Sequence, residues 1–156
     1  MKMPNWCQGT LKVRGGYDNL KAFLENALKE CKYYGEPPEG PLLEVAETPE
    51  YADITLHRMA HLKDTSRGFV EDTYFLLQKK AGKQIIFLEA QFAWDIKTEE
   101  LQWLSREYGV DLKITAFEQG IQFERDIEIV QGVIVLDSTK KYQDYAWMCP
   151  CPTMGG

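Results

Sequence analysis

With 156 residues, 44% of them hydrophobic and 27% charged, the chain has the size of a single domain and the make-up of an ordinary globular protein. Its net charge of −6 argues against a general affinity for nucleic acid, whose phosphates reward Lys and Arg. No apolar run approaches a membrane span and the first residues lack the charged-then-apolar layout of a secretory signal, so a cytoplasmic protein is expected, with Cys7, Cys31, Cys149 and Cys151 as thiols.

Pro4-Asn5 reads as a turn. From Cys7 the pattern alternates, with Cys7, Gly9, Leu11 and Val13 on one face and Gln8, Thr10, Lys12 and Arg14 on the other, as in a half-buried strand. Residues 17–32 read as a helix with Asp18 as N-cap and an apolar stripe of Leu20, Phe23, Leu24, Ala27, Leu28 and Cys31. A Gly- and Pro-rich connection follows at 35–41, then short strands at 42–45 and 52–57 and a loop at 64–68. Glu36, Glu39, Glu44, Glu47, Glu50 and Asp53 succeed one another with no basic residue between them, which is the pattern of a solvated rim.

Two aromatic-rich runs, 73–78 and 84–94, flank a turn at 79–83 and predict a hairpin. Thr98 is then expected to cap a second helix, with Glu99 and Glu100 in its first turn, Leu101, Leu104 and Tyr108 along one face, and Gly109 as its stop. The remainder reads as a meander turning at Gln119-Gly120 and Gln131-Gly132. Strand, helix, strand, repeated, with further strands at the end, predicts a ferredoxin-like α+β sandwich: an antiparallel sheet of four or more strands with two helices on one face, or failing that another α+β sandwich. The expected organisation is one domain over 1–156, with an acidic insertion at 36–80 and a C-terminal tail at 140–156. Tyr142, Tyr145 and Trp147 suggest that this tail folds back over the sheet or a neighbour.

Two stretches resemble a known family. One is Pro4-Asn5-Trp6-Cys7 with Thr10-Leu11, leading through Gly15 into a helix. The other runs from Phe92 and Trp94 through Leu104-Ser105 to Phe117-Glu118, Gly120 and Phe123. Together they resemble the YubB-like group of plasmid and phage proteins, whose function is unknown. The resemblance covers about half of the chain and leaves residues 36–80 unmatched. It departs from the group's pattern at Gly9, where Asn is frequent, and at Asp95 to Lys97 and Glu124-Arg125. It implies a ferredoxin-like domain and a mobile-element origin, and it transfers no activity.

The sequence holds no Gly-rich phosphate loop and no nucleophile elbow, and Cys7 faces the predicted core, so an enzyme is not the leading expectation. His57 and His61 would share one side of a strand, and Cys149-Pro-Cys151 offers two soft ligands. The two pairs are far apart and neither has finger spacing, so no metal and no cofactor is expected. Phe87, Phe117 and Phe123, with Lys113 and Arg125, could stack and neutralise a single-stranded nucleic acid, but Glu89, Glu118, Glu124 and Glu128 share that sheet.

The leading expectation is therefore a non-enzymatic binding or accessory protein, meeting a protein partner or a second copy of itself through an exposed sheet face or strand edge. Asn5, Trp6, Phe92, Trp94, Asp95, Lys97 and Glu118 are the candidate ligand- or partner-binding residues. A nucleic-acid-binding module is one alternative. An enzyme or metal protein with a site near Asn5, Trp94 and Glu118 is the other.

Overall fold

The computed structural model describes residues 4–32 and 35–156. Among them the chain runs β1 (Trp6–Gly15), α1 (Tyr17–Ala27), β2 (Leu28–Glu30), β3 (Leu43–Glu47), β4 (Tyr51–Leu56), β5 (Ala60–Leu62), β6 (Gly68–Val70) and β7 (Thr73–Gln78). It continues with β8 (Gln84–Ala93), α2 (Thr98–Tyr108), β9 (Asp111–Glu118), β10 (Phe123–Val130), β11 (Val133–Lys140) and the short α3 (Tyr145–Met148). An eight-stranded antiparallel sheet has the order β11-β10-β9-β1-β8-β6-β5-β2, and a three-stranded sheet has the order β3-β4-β7.

This corrects the ferredoxin-like α+β sandwich. The molecule is mostly β, with 11 strands and 3 short helices among the described residues. Residues 36–80 are the reason. That stretch offers three strand signals, at 42–45, 52–57 and 73–78, yet it supplies all of β3 to β7, two of which extend the large sheet beyond β8 while three form the second sheet. β5 and β6 are three residues each, too short to show a period.

The alternation of β1 is realised. Cys7, Leu11 and Val13 are fully buried, and β1 lies between β8 and β9. Its core face continues across the sheet through Ile114 and Leu88, which stand beside Leu11. Gly9 permits this close pairing, because a Cβ there would run into the Thr115 carbonyl oxygen. One apolar core joins this face to α1, α2 and the inner face of the small sheet, represented by Ile54 and Leu77.

Three local expectations change. The 17–32 helix stops at Ala27, and Leu28 turns into extended backbone to pair with Leu62 and is buried there. Cys31 thereby leaves the core stripe and is half-buried. Neither Asp18 nor Thr98 is an N-cap: Gly16 and Lys97 hold those positions without a side-chain cap bond. The expected 73–94 hairpin does not close. β7 pairs with β4 over its whole length and β8 pairs with β1 from Gln84 to Ala93, so each arm trades its local partner for a remote one.

The tail does fold back over the sheet. Tyr145 and Cys149 pack on Phe117, and Gly156 N–H donates to the Trp6 carbonyl at 2.8 Å. On the small sheet, Glu47 at the end of β3 ties α1 to the residue after β7, accepting from Tyr17, Lys21 and Lys79. Those three donors hold its carboxyl down at about 2.

Candidate functional site

The sequence-derived candidates meet only in part. Asn5, Trp94, Asp95 and Glu118 gather at the sheet rim where β1 begins and β8 ends: the Asn5 carbonyl accepts from Trp94 N–H at 2.7 Å, and Gly120 lies against both the Asn5 and Glu118 side chains. Trp94 adopts the left-handed backbone at φ 69°, which turns the chain out of β8 towards α2. Trp6 points to the opposite face from Cys7, edge-on to Phe69 at 5.9 Å and beneath the Arg67 guanidinium. Phe92 is buried against Gly68, and Lys97 donates to Ser66 Oγ at 2.9 Å.

The acids at this rim hold the fold. Glu118 is fully buried and its two oxygens accept from Gly120 N–H at 2.5 Å and Ile121 N–H at 2.6 Å, clamping the turn between β9 and β10. Asp95 Oδ1 accepts from Ile96 N–H at 2.7 Å and from Arg125 Nε at 2.9 Å. Arg125 itself, 7% exposed, extends to Asp137 Oδ1 at 2.7 Å, Thr98 Oγ1 at 3.0 Å and the carbonyls of Ile96 and Ser138. Its planar fork thus ties the β8–α2 connection to β11. Burial first, then the nearby Asp95 carboxylate, pushes the Cys7 thiol up to about 12, with Arg125 opposing and Glu118 assisting. A thiol so protonated is a packing group, not a nucleophile.

The other constellations separate too. His57 faces Glu44 at 3.1 Å and His61 faces the Thr65 carbonyl at 3.0 Å, while Cys149 and Cys151 lie in the tail over Phe117. Among the described residues no group of three or more His, Cys, Asp or Glu is placed to hold a metal ion. Of the nucleic-acid set, Phe117, Phe123 and Arg125 are buried, leaving Phe87 and Lys113 on the surface. A cleft of about 450 Å³ at the foot of β1 is lined by Arg14, Lys83 and Arg106, but Arg14 is engaged by Asp111 and Arg106 by the Gly132 carbonyl.

What the surface presents instead is apolar. Tyr74 and Leu76 on β7 and Ile85 and Phe87 on β8 are 50–59% exposed and line one groove of about 240 Å³, to whose lining the buried Phe75 and Ile86 also contribute. The groove exists because the two strands diverge to different sheets, so a strand edge forms each wall. Ala93 N–H donates to Arg67 and Glu89 O accepts from Glu71, both on the side away from β1. Alternation then turns the main-chain groups of Ile85 and Phe87 to that same side, where among the described residues β8 has no strand beside them. Lys79 N–H donates to Glu50 on the β4 side, so Tyr74 and Leu76 turn their main-chain groups away from β4 and into the groove.

The sequence reading passed over Tyr74, Leu76 and Ile85. Their signal was alternation with Phe75, Leu77 and Ile86 in runs apolar on both faces, which a two-layer packing cannot bury completely. Comparison with protein-family models, with curated proteins and with solved structures finds no match, so no family is identified. No helix among the described residues is long and apolar enough to cross a membrane.

Proposed function

We propose that the chain is a non-enzymatic, cytoplasmic binding module that docks a protein partner on the apolar face made by β7 and β8. The observation that carries this reading is the contiguity of Tyr74, Leu76, Ile85 and Phe87, each at least half exposed on neighbouring strands. Single exposed apolar residues are ordinary, whereas a contiguous set is the usual mark of an interaction surface. The engagement of Glu118, Asp95 and Arg125 in structural bonds supports a binding role over a catalytic one. Four free cysteines fit a reducing compartment.

The test is to pan a library of random displayed peptides on the native chain and on the double variant Leu76→Glu/Phe87→Glu. The native chain is expected to enrich apolar sequences whose binding falls at least tenfold on the variant. Failure to enrich any, or enrichment indifferent to the two substitutions, overturns the proposal.

A further inference from the structure

We propose that the groove between β7 and β8 is a strand-addition site: an extended apolar segment of a partner protein, acidic at one end, pairs its main chain with the free edge of β7. This rests on the reading of that face as the docking surface and specifies its partner and its mode.

Three observations converge. The first is that Leu76 presents an exposed apolar side chain and Tyr74 an exposed ring whose hydroxyl donates to Asp53 Oδ1 at 2.6 Å, and that both, by alternation, present an N–H and a C=O that no strand accepts among the described residues. Recognition by strand addition uses that pairing, with main-chain bonds for affinity and alternate side-chain contacts for specificity. The second is the Gln84 side chain. Its Oε1 accepts from Gln78 N–H at 2.8 Å and its Nε2 donates to the Gln78 carbonyl at 2.8 Å. An amide thus already takes, at the closed end of the groove, the place that the peptide group of a neighbouring strand would take. The open continuation of that edge is Leu76 and Tyr74, faced across the groove by Ile85 and Phe87. The third is size and charge. At about 240 Å³ the groove falls below the roughly 300–1,000 Å³ of small-molecule sites, which favours a few side chains of a strand over a compact ligand. Its closed end carries the exposed Lys80, with Lys83 beside it 3.9 Å from Asp111, and its other end the exposed Glu71 and Asp72, with Glu89 accepting from Thr10 at 2.8 Å. A segment with acidic residues towards the first and basic residues towards the second matches both.

The other long edge is a poorer host. β11 exposes Val133, Val135 and Leu136, but its register shifts at Glu128/Ile129, Asp137 is bonded to Arg125, and it ends at Lys140. A bulge and charged residues of this kind protect an edge against further pairing.

The probe is a fluorescent peptide of alternating valine and threonine with two glutamates at one end and two lysines at the other, made in both directions. Two derivatives of the tighter binder carry backbone N-methyl groups on one or the other set of alternate residues. One set is expected to weaken binding about tenfold or more and the other by less than about twofold, because one edge of the peptide meets β7. The variant Leu76→Pro removes an N–H that faces the groove and leaves the β4 ladder intact, and it is expected to lose the peptide while retaining the native far-ultraviolet circular dichroism. The N-methylated peptides carry the same test if that variant fails to fold.

Equal binding by both N-methylated peptides and the parent overturns strand addition while leaving side-chain docking in place. Absence of binding by the parent peptides in both directions also overturns it, and the broader docking reading falls with it only if the displayed library yields nothing or yields sequences indifferent to Leu76→Glu/Phe87→Glu. A native dimer in sedimentation that Leu76→Pro dissolves, with no peptide bound, makes a second copy the occupant and overturns the partner-segment proposal.

Discussion

The two ends of β8 have opposite characters. At its C-terminal end, Asp95, Glu118 and Arg125 look like the makings of a catalytic site, yet their bonding capacity is directed into the protein: Arg125 alone reaches two carboxylates, two hydroxyls and two carbonyls. At its N-terminal end, Ile85 and Phe87 face Tyr74 and Leu76 with no chemistry to offer, and their apolar surface and main-chain edge stay open. Residue type therefore misleads about function here. A buried charge must be answered by the fold, whereas a strand edge at the surface is answered by water and can exchange it for a partner. The comparison fails if the rim proves dispensable for stability or the groove indispensable.

The largest effect is expected from Arg125→Met. Asp95 and Asp137 then lose their cation and the β8–α2 connection loses its tie to β11, at a cost of about 3 kcal/mol measured by urea unfolding. The value sits at the low end for a broken buried pair because both carboxylates reach solvent, with side chains 54% and 39% exposed. Glu118→Gln is next. One oxygen still accepts from a turn N–H, but the new NH₂ confronts the other donor, for a loss of about 2 kcal/mol. A near-neutral result for either variant would free the rim for another role.

How much of this was legible follows the same division. The alternation of β1, the helix after Gly16 up to Ala27, and the strands read around 112–116 and 121–129 stand, whereas the last strand, expected at 133–136, runs on to Lys140 without alternation in burial. β5 and β6 are too short to carry a period, and Leu28, expected on the helix stripe, is buried in β2 instead. The turn expected between the two apolar runs of 73–94 is there, but a local turn cannot show that each arm has another partner, β4 for β7 and β1 for β8. The groove follows from that same divergence, so its residues read as core. Asn5, Trp94, Asp95 and Glu118 lie together at the rim, but as packing and turn-holding groups. Their engagement by Arg125 and by the Gly120 and Ile121 N–H groups depends on geometry that the sequence does not encode locally.

Acid titration sharpens the comparison more gently. Burial alone would raise Asp111 and Asp137. Gln131 N–H and Arg14 outweigh it at the first, and Arg125 and Thr98 at the second, so both carboxyls titrate below the ordinary 3.8. A depressed native value means stability that is present above pH 3.8 and lost as the pH falls through the native value, so acid unfolding should set in below that point. Glu124 has the opposite sign: burial first, then Asp126, raises it above 4.5. Its contribution is present below pH 4.5 and lost as the pH rises through the native value. Glu124→Gln is therefore expected to gain under about 1 kcal/mol at pH 7, with the gain vanishing below pH 4.5 in urea titrations at the two pH values.

The smallest effect on stability is the one on which the groove depends. Leu76→Thr and Phe87→Thr place a β-branched residue, well suited to a strand, where the inner neighbours Leu77 and Leu88 carry the packing. Each should change the unfolding free energy by no more than about 0.5 kcal/mol, since surface substitutions that break no packing, cap or network rarely do more. A loss above about 1 kcal/mol from either would mean that these side chains fill the space between the two sheets. The divergence of β7 from β8 would then be a packed seam, and the open edge would have no room for a strand. Near-neutral stability joined to lost peptide binding would separate the two ends of β8 as cleanly as the geometry does: one end where removing a side chain unfolds the protein, and one where it removes only what the protein can hold.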